Sequence, residues 1–317
     1  MKSKKNILIL GASGFIGKNL LIYFLKKKKY NVSGTYFTNK FKMNGAKIFK
    51  VDLTKKKEVN KIVKNKDIII QAAATTSGAK DIISKPYLHV NDNAIINSMI
   101  TRAAYDFNVK HIINFSCTVM YKSSKKKIRE KDFNANDKVY PSYFGAASMK
   151  IFVEKMCEFY SRLGRNKYTL IRHSNVYGKY DKFDLDKSHV LGASVNKVIN
   201  NKSGHLSVWG SGKEKRDFLY IDDLVDFVDL AIKKQKKSFE LYNAGLGSMI
   251  SINELIKMII YLSKKNIKIT NDLTKKSLST YVSLNCDKAY QELGWKPKTS
   301  LRAGIEKTIK WYIKNHV

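Results

Sequence analysis

The stretch Gly11-Ala12-Ser13-Gly14-Phe15-Ile16-Gly17 limits the possible folds more than any other part of this sequence. An apolar run at residues 6–10 leads into it, and residues with helical spacing, 15–27, lead away. In a strand–turn–helix setting the three glycines have separate jobs. Gly11 permits the tight turn, Gly14 lets backbone N–H groups approach a pyrophosphate, and Gly17 lets the helix pack close to the strand. The first N–H groups of that helix, at Ser13, Gly14, Phe15 and Ile16, then face the negative charge. A plain glycine turn is the alternative, and the flanking strand and helix argue against it.

The pattern continues as alternating strands and helices. Continuous apolar runs at residues 30–37, 46–53, 67–73, 111–117 and 168–174 read as strands covered on both faces. Helical spacing occupies 91–107 and 143–163, and a charged helix lies between the third and fourth strands. This predicts an α/β fold with a doubly wound parallel sheet, the Rossmann arrangement, and a smaller C-terminal α/β domain. Residues 1–174 read as the dinucleotide-binding domain, with a return segment at about 216–245. Residues 175–215 and 246–317 read as the substrate domain, with helices near 222–234, 252–263 and 303–315.

The chain has 317 residues, enough for two such domains. No apolar run approaches the length of a membrane span, and the basic start runs into a first strand rather than a signal peptide. Three scattered cysteines, Cys117, Cys157 and Cys286, none in a metal-type pair, suit a reducing compartment; a cytoplasmic enzyme without a metal is expected. The net charge of +34 raises nucleic acid or an anionic membrane as partners. Its lysines are dispersed and no nucleic-acid module is present, so neither partner is expected.

An enzyme selecting NAD places an acid after the second strand to bind the ribose hydroxyls. Here that strand ends Gly34-Thr35-Tyr36-Phe37-Thr38-Asn39-Lys40, without one, and Lys42 is close by. The expectation is NADP, with NAD possible. Asp52, before Leu53 at the end of the third strand, reads either as an adenine contact or as a cap for the next helix.

Several motifs together resemble the extended short-chain dehydrogenase/reductases, the NAD-dependent epimerase/dehydratase superfamily. They are the glycine turn, Asp52-Leu53, Ala72-Ala73-Ala74, His89-Val90-Asn91-Asp92-Asn93 and Asn175-Val176-Tyr177-Gly178. Further marks are Tyr180-Asp181-Lys182-Phe183-Asp184-Leu185 leading to Ser188-His189-Val190, and Val208-Trp209-Gly210-Ser211-Gly212. The segment at 216–223 and Leu293-Gly294-Trp295 complete them. Within the superfamily the chain looks most like GDP-L-fucose synthases, the GDP-4-keto-6-deoxymannose 3,5-epimerase-4-reductases, over nearly its whole length.

The resemblance implies epimerisation beside a sugar ketone through an enolate, then hydride delivery from NADPH. It also implies a homodimer. It places a Cys–His pair on the first step and a Ser-Tyr-Lys set on the second. His189 occupies the His position. Ser116, Cys117 or Thr118 can fill the hydroxyl position after the fifth strand, and Cys117 is the thiol candidate. Lys150 stands where the family has its Lys, but the residue four before it is Ala146 and not Tyr. Tyr143 is the nearest phenol, with Tyr140 behind it. In a continuous helix Tyr143 does not share the face of Ala146, so cofactor binding is better marked than reduction. The resemblance further assigns Asn91, His173, Asn175 and Val176 to the cofactor. It assigns Asn175, His189, Lys197, Trp209 and Arg216 to the nucleotide sugar. Trp suits stacking and Arg suits phosphate; a core aromatic and a surface charge are the plain alternatives. An epimerase or oxidoreductase on another nucleotide sugar remains open, as does a non-catalytic nucleotide-binding scaffold.

Overall fold

In β1 (Lys5–Leu10) the last four residues are fully shielded from solvent, so both faces of this strand need cover. A computed structural model, which describes residues 4–75, 84–185, 188–275 and 280–317, shows how they are covered. β1 lies inside a sheet with β2 (Tyr30–Tyr36), β3 (Lys47–Lys50), β4 (Ile68–Gln71), β5 (His111–Cys117), β6 (Lys167–His173) and, from far along the chain, β11 (Phe239–Ala244). Among the described residues the order is β3-β2-β1-β4-β5-β6-β11, and every pairing is parallel. Ile7 and Ile9 point into one hydrophobic layer with α1 (Phe15–Lys26) and α6 (Ile221–Lys234). Leu8 and Leu10 point into the other, with α2 (Lys56–Val63), α3 (Asn91–Asp106) and α4 (Phe144–Arg162). On α1 the fully buried Leu20, Leu21 and Phe24 each contribute about 1.5–3 kcal/mol of transfer free energy to this layering.

The chain winds outward in one direction through β1, β2 and β3 and in the other through β4, β5 and β6. The reversal leaves a crevice at the carboxyl ends of β1 and β4, where open α/β sheets bind ligands. Two strands are shorter than their apolar runs. β3 stops at Lys50 because Asp52 accepts hydrogen bonds from the N–H (3.0 Å) and hydroxyl (2.6 Å) of Thr54 and closes a turn. β4 stops at Gln71 because that side chain bonds both the N–H and the carbonyl of Ala73, curling the chain into the crevice.

The rest of the chain forms a smaller layer beside the carboxyl ends. β7 (Asn175–Tyr177) pairs with β10 (Phe218–Tyr220), and β8 (His205–Trp209) with β13 (Lys268–Asp272). β9 (Lys215–Arg216) lies between β12 (Ile250–Ser251) and β14 (Tyr281–Val282). α5 (Val190–Ile199) and α9 (Leu301–His316) pack on α7 (Ile252–Leu262), and α8 (Asp287–Leu293) lies against β11. Two buried carboxylates tie the layers together. Asp217 accepts N–H bonds from Leu246, Gly247 and Leu284, and Asp223 from Lys298 and Thr299. Among the described residues no helix is long and apolar enough to cross a membrane, and no cluster of His, Cys, Asp and Glu could hold a metal.

Candidate active site

The glycine turn is built for close approach. Gly11 has φ +72°, and a Cβ there would lie 2.6 Å from Cα of Ala73 on β4's exit; a Cβ on Gly17 would lie 2.2 Å from the carbonyl oxygen of Gly11. Thr35 of β2 holds the turn by accepting the Gly11 N–H on its hydroxyl (3.0 Å) and the Ala12 N–H on its carbonyl (2.7 Å). α1 starts at Phe15 with Gly14 as cap. No side chain caps it, and its first turn carries no acid. Its N-terminus therefore keeps its positive end for an anion, and the cradle fits a dinucleotide's pyrophosphate. Ala72 and Ala73 form the opposite lip, half-buried, with Ala74 exposed beyond them. Lys40 and Lys42 are exposed on the segment after β2. The turn of Asp52 and Thr54 precedes α2, which fits a local structural role, while Leu53 is core.

The far wall of the crevice starts at the end of β5. Ser116 is 2% exposed, and among the described residues its hydroxyl has no hydrogen-bond partner. Cys117 alternates to the other side and is half-buried, and Thr118 opens onto a cavity of about 240 Å³. The same cavity is lined by Tyr140, Tyr143, Asn175 and Arg216. Lys150 of α4 donates to the carbonyl of Phe115 (2.7 Å), which brings its ammonium beside Cys117. Burial pushes the Cys117 thiol up, with Lys150 working against that. The thiol is thus a proton donor rather than a ready thiolate.

The predicted helix at 143–163 begins instead at Phe144, and Tyr143 ends a short 3-10 turn, Pro141–Tyr143. It is the N-cap of α4. Its phenol lines the cavity, close enough to Cys117 and Arg216 to feel both, and burial raises its pKa. Ala146, on the face of Lys150 one turn earlier, is half-buried.

Histidines occupy the remaining side. His173 ends β6, and its Nδ1–H donates to the carbonyl of Ser174 (2.8 Å), which leaves Nε2 as a lone-pair acceptor. Burial depresses its pKa to about 4, so it is neutral. His189 is the N-cap residue of α5 and lies near enough to His173 for that ring to feel its charge. The surrounding walls, then Lys182 and His89, hold its pKa below the usual value. Val176 is buried in β7, and Asn175 donates to the carbonyl of Asp217 (3.0 Å). Arg216 donates to the carbonyl of Thr280 (2.6 Å), which aims its guanidinium along the cavity wall. Trp209 is 47% exposed at the end of β8, which removes the core-aromatic reading, and Lys197 is exposed on α5. Asn91 is exposed at the start of α3.

Two positioning residues escaped the sequence reading. Thr35 has no distinguishing spacing. Asn93 is 4% exposed and pairs with both the N–H (2.9 Å) and the carbonyl (3.0 Å) of Thr75, fixing the exit of β4. Its signal was present in the 89–93 motif, where Asn91 was preferred.

Comparisons with known proteins agree with this fold. The model of the NAD dependent epimerase/dehydratase family matches residues 7–245. GDP-L-colitose synthase of Yersinia pseudotuberculosis is 29% identical, covering 97% of each chain. GDP-L-fucose synthase of Sinorhizobium fredii is 31% identical, covering 84% of this chain and 86% of its own. Among solved structures, a GDP-6-OMe-4-keto-L-xylo-heptose reductase from C. jejuni superposes with a TM-score of 0.86 at 21% identity, covering 100% of this chain and 99% of its own.

Proposed function

The chain belongs to the NAD-dependent epimerase/dehydratase family, and from that premise we propose that it epimerises and reduces a GDP-linked 4-keto-6-deoxy sugar with NADPH. One observation carries the reading: Thr118, Tyr143, Asn175 and Arg216 line one cavity, and Cys117, which feels the charge of Lys150, lies close enough to Tyr143 to affect it. The names of the relatives, GDP-L-colitose synthase and GDP-L-fucose synthase, support GDP as the nucleotide.

In this reading the backbone N–H groups of residues 13–16 hold the pyrophosphate and Lys40 meets the 2′-phosphate. Bound NADPH supplies hydride to the ketone carbon. His189, neutral at pH 7, takes the proton from the carbon beside the ketone and leaves an enolate. Cys117, protonated because it is buried, returns a proton to the opposite face and inverts that carbon. Tyr143 replaces the phenol absent at Ala146. Its raised pKa keeps its proton until an alkoxide develops to receive it. Arg216 and Trp209 hold the nucleotide diphosphate. Free Cys117, Cys157 and Cys286 suit the cytoplasm. Exposed Phe152 and Phe159 on α4 suit a homodimer.

The test is incubation with GDP-4-keto-6-deoxymannose in deuterium oxide, with NADPH or NADH, and NMR of the products. Deuterium should enter beside the ketone before NADPH is consumed, and calorimetry should find NADPH bound more tightly than NADH. Turnover of a UDP-linked keto-sugar with none of the GDP-linked one overturns the choice of nucleotide.

A further inference from the structure

A larger cavity of about 600 Å³ adjoins the first and shares Tyr121, Lys122 and Ser123 with it. Its charged lining is Lys122, Lys126, Lys127, Arg129, Asp132 and Asp137. Arg129 and Asp132 neutralise each other through a two-pronged contact, with Nη2 to Oδ1 at 3.0 Å and Nε to Oδ2 at 3.1 Å. That leaves the ammonium groups of three exposed lysines, Lys122, Lys126 and Lys127, and one carboxylate, Asp137, among the lining residues. Among the described residues none of the three donates a hydrogen bond or joins an ion pair.

The walls are fixed. The Ser124 N–H donates to the Tyr281 carbonyl (2.8 Å), the Ile128 N–H to that of Ser283 (2.9 Å), and the Asn285 N–H to that of Ile128 (2.9 Å). Behind them Tyr121 donates to Asn243 (2.8 Å) and accepts from Arg172 (2.9 Å). Arg172 is itself paired with buried Glu154 (2.6 Å) and sits against the rings of Tyr121 and Phe133. A concave, preformed surface with uncompensated cations focuses potential on an anion more strongly than dispersed surface lysines do. The neutral sugar of the proposed substrate gives these cations nothing to bind.

We propose that this chamber is a second anion site, which takes a phosphoryl group while the adjoining cleft holds its nucleotide. The proposal rests on the cleft being the nucleotide-sugar site, and the experiment separates the two. The phosphoryl group comes either from a free phosphate ligand or from a phosphate carried on the bound sugar.

Inorganic phosphate is titrated into the full chain saturated with NADP and GDP, and followed by phosphorus NMR. One saturable site is expected. Lys126→Gln with Lys127→Gln should weaken it at least about tenfold, the loss of a charge-assisted contact. GDP and NADP affinities should stay within about twofold, as charges outside the nucleotide cleft add only screened, distant terms. Lys26→Gln with Lys28→Gln removes the same charge elsewhere and should leave phosphate binding unchanged. No saturable phosphate site in the ternary complex, or equal weakening by the control pair, overturns the proposal. If GDP does not bind but the Lys126/Lys127-dependent phosphate site persists, the cleft reading fails and the chamber stands. Phosphate that competes with a sugar nucleotide phosphorylated on its sugar, but not with the unphosphorylated one, traces the group to the substrate. Absence of competition with either traces it to a free ligand.

Discussion

His189 meets the crevice as a neutral imidazole because its surroundings solvate a cation poorly and already hold Lys182 and His89. Its pKa in the fold lies below the ordinary 6.5, so the base form dominates at pH 7 and is lost only as pH falls through that lower value. Deuterium entry beside the ketone should therefore be flat near neutrality and decline on the acid side of pH 6.5, and His189→Asn should abolish most of it. An acid-limb inflection above 6.5 in the exchange profile would remove His189 from this role. Tyr143 makes a separable prediction, since a phenol is needed for reduction and not for enolate formation. Tyr143→Phe should slow NADPH oxidation by roughly 10²–10⁴-fold, the usual worth of a positioned acid, while deuterium entry continues. Ala146→Tyr in that background should restore part of the rate, because residue 146 lies one helical turn before Lys150 on its face. Unaltered NADPH oxidation in Tyr143→Phe would assign the proton to another group. At this scale the sequence named His189, Cys117, Lys150 and Arg216 through their motifs. What Tyr143 lines depends on where one helix begins, which apolar spacing fixes only to within a residue or two.

Elements were legible where burial forces a pattern. β1, β5 and β6 are covered on both faces, so continuous apolar runs marked them to within a residue or so. β3 and β4 ended earlier than their runs because Asp52 and Gln71 turn the chain with side-chain hydrogen bonds, which hydropathy does not register. The short pairings β9 with β12 and β14 have two residues each and no period to read. The glycine turn was legible in position, between β1 and α1, and it carries an element-scale prediction. A methyl at residue 17 would lie 2.2 Å from the Gly11 carbonyl oxygen, a backbone atom of the turn itself. Gly17→Ala must push α1 away from β1, at a cost on the order of 1–3 kcal/mol or more for overpacking. Because the same carbonyl shapes the cradle, NADPH affinity should fall by more than the stability loss alone accounts for. Chemical denaturation and calorimetry on the one variant give both quantities, and unchanged cofactor affinity would show that the turn tolerates the shift.

At the scale of the whole molecule, a net charge of +34 should keep copies apart, so any self-association must come from a specific apolar patch. α3 and α4 lie side by side on the outer face of the sheet, and α4 turns Phe144, Phe152 and Phe159 to solvent, with Leu163 exposed just past its end and Ile95 exposed on α3. Phe152 and Phe159 are two turns apart, 48% and 56% exposed, so they form one stripe rather than scattered residues. Two copies of a helix pair related by a twofold axis bury such a stripe against itself, which is the simplest closed assembly. Acidic residues in place of these two rings would set like charges against each other across that axis and remove the apolar area that outweighs the repulsion between two strongly cationic chains. Phe152→Glu with Phe159→Glu should therefore convert a dimer to a monomer in sedimentation at moderate salt, with NADPH still bound, since neither ring reaches the crevice. Raising the salt should favour the wild-type dimer by screening its net charge. A wild-type chain that sediments as a monomer at every salt concentration would leave the stripe without this partner.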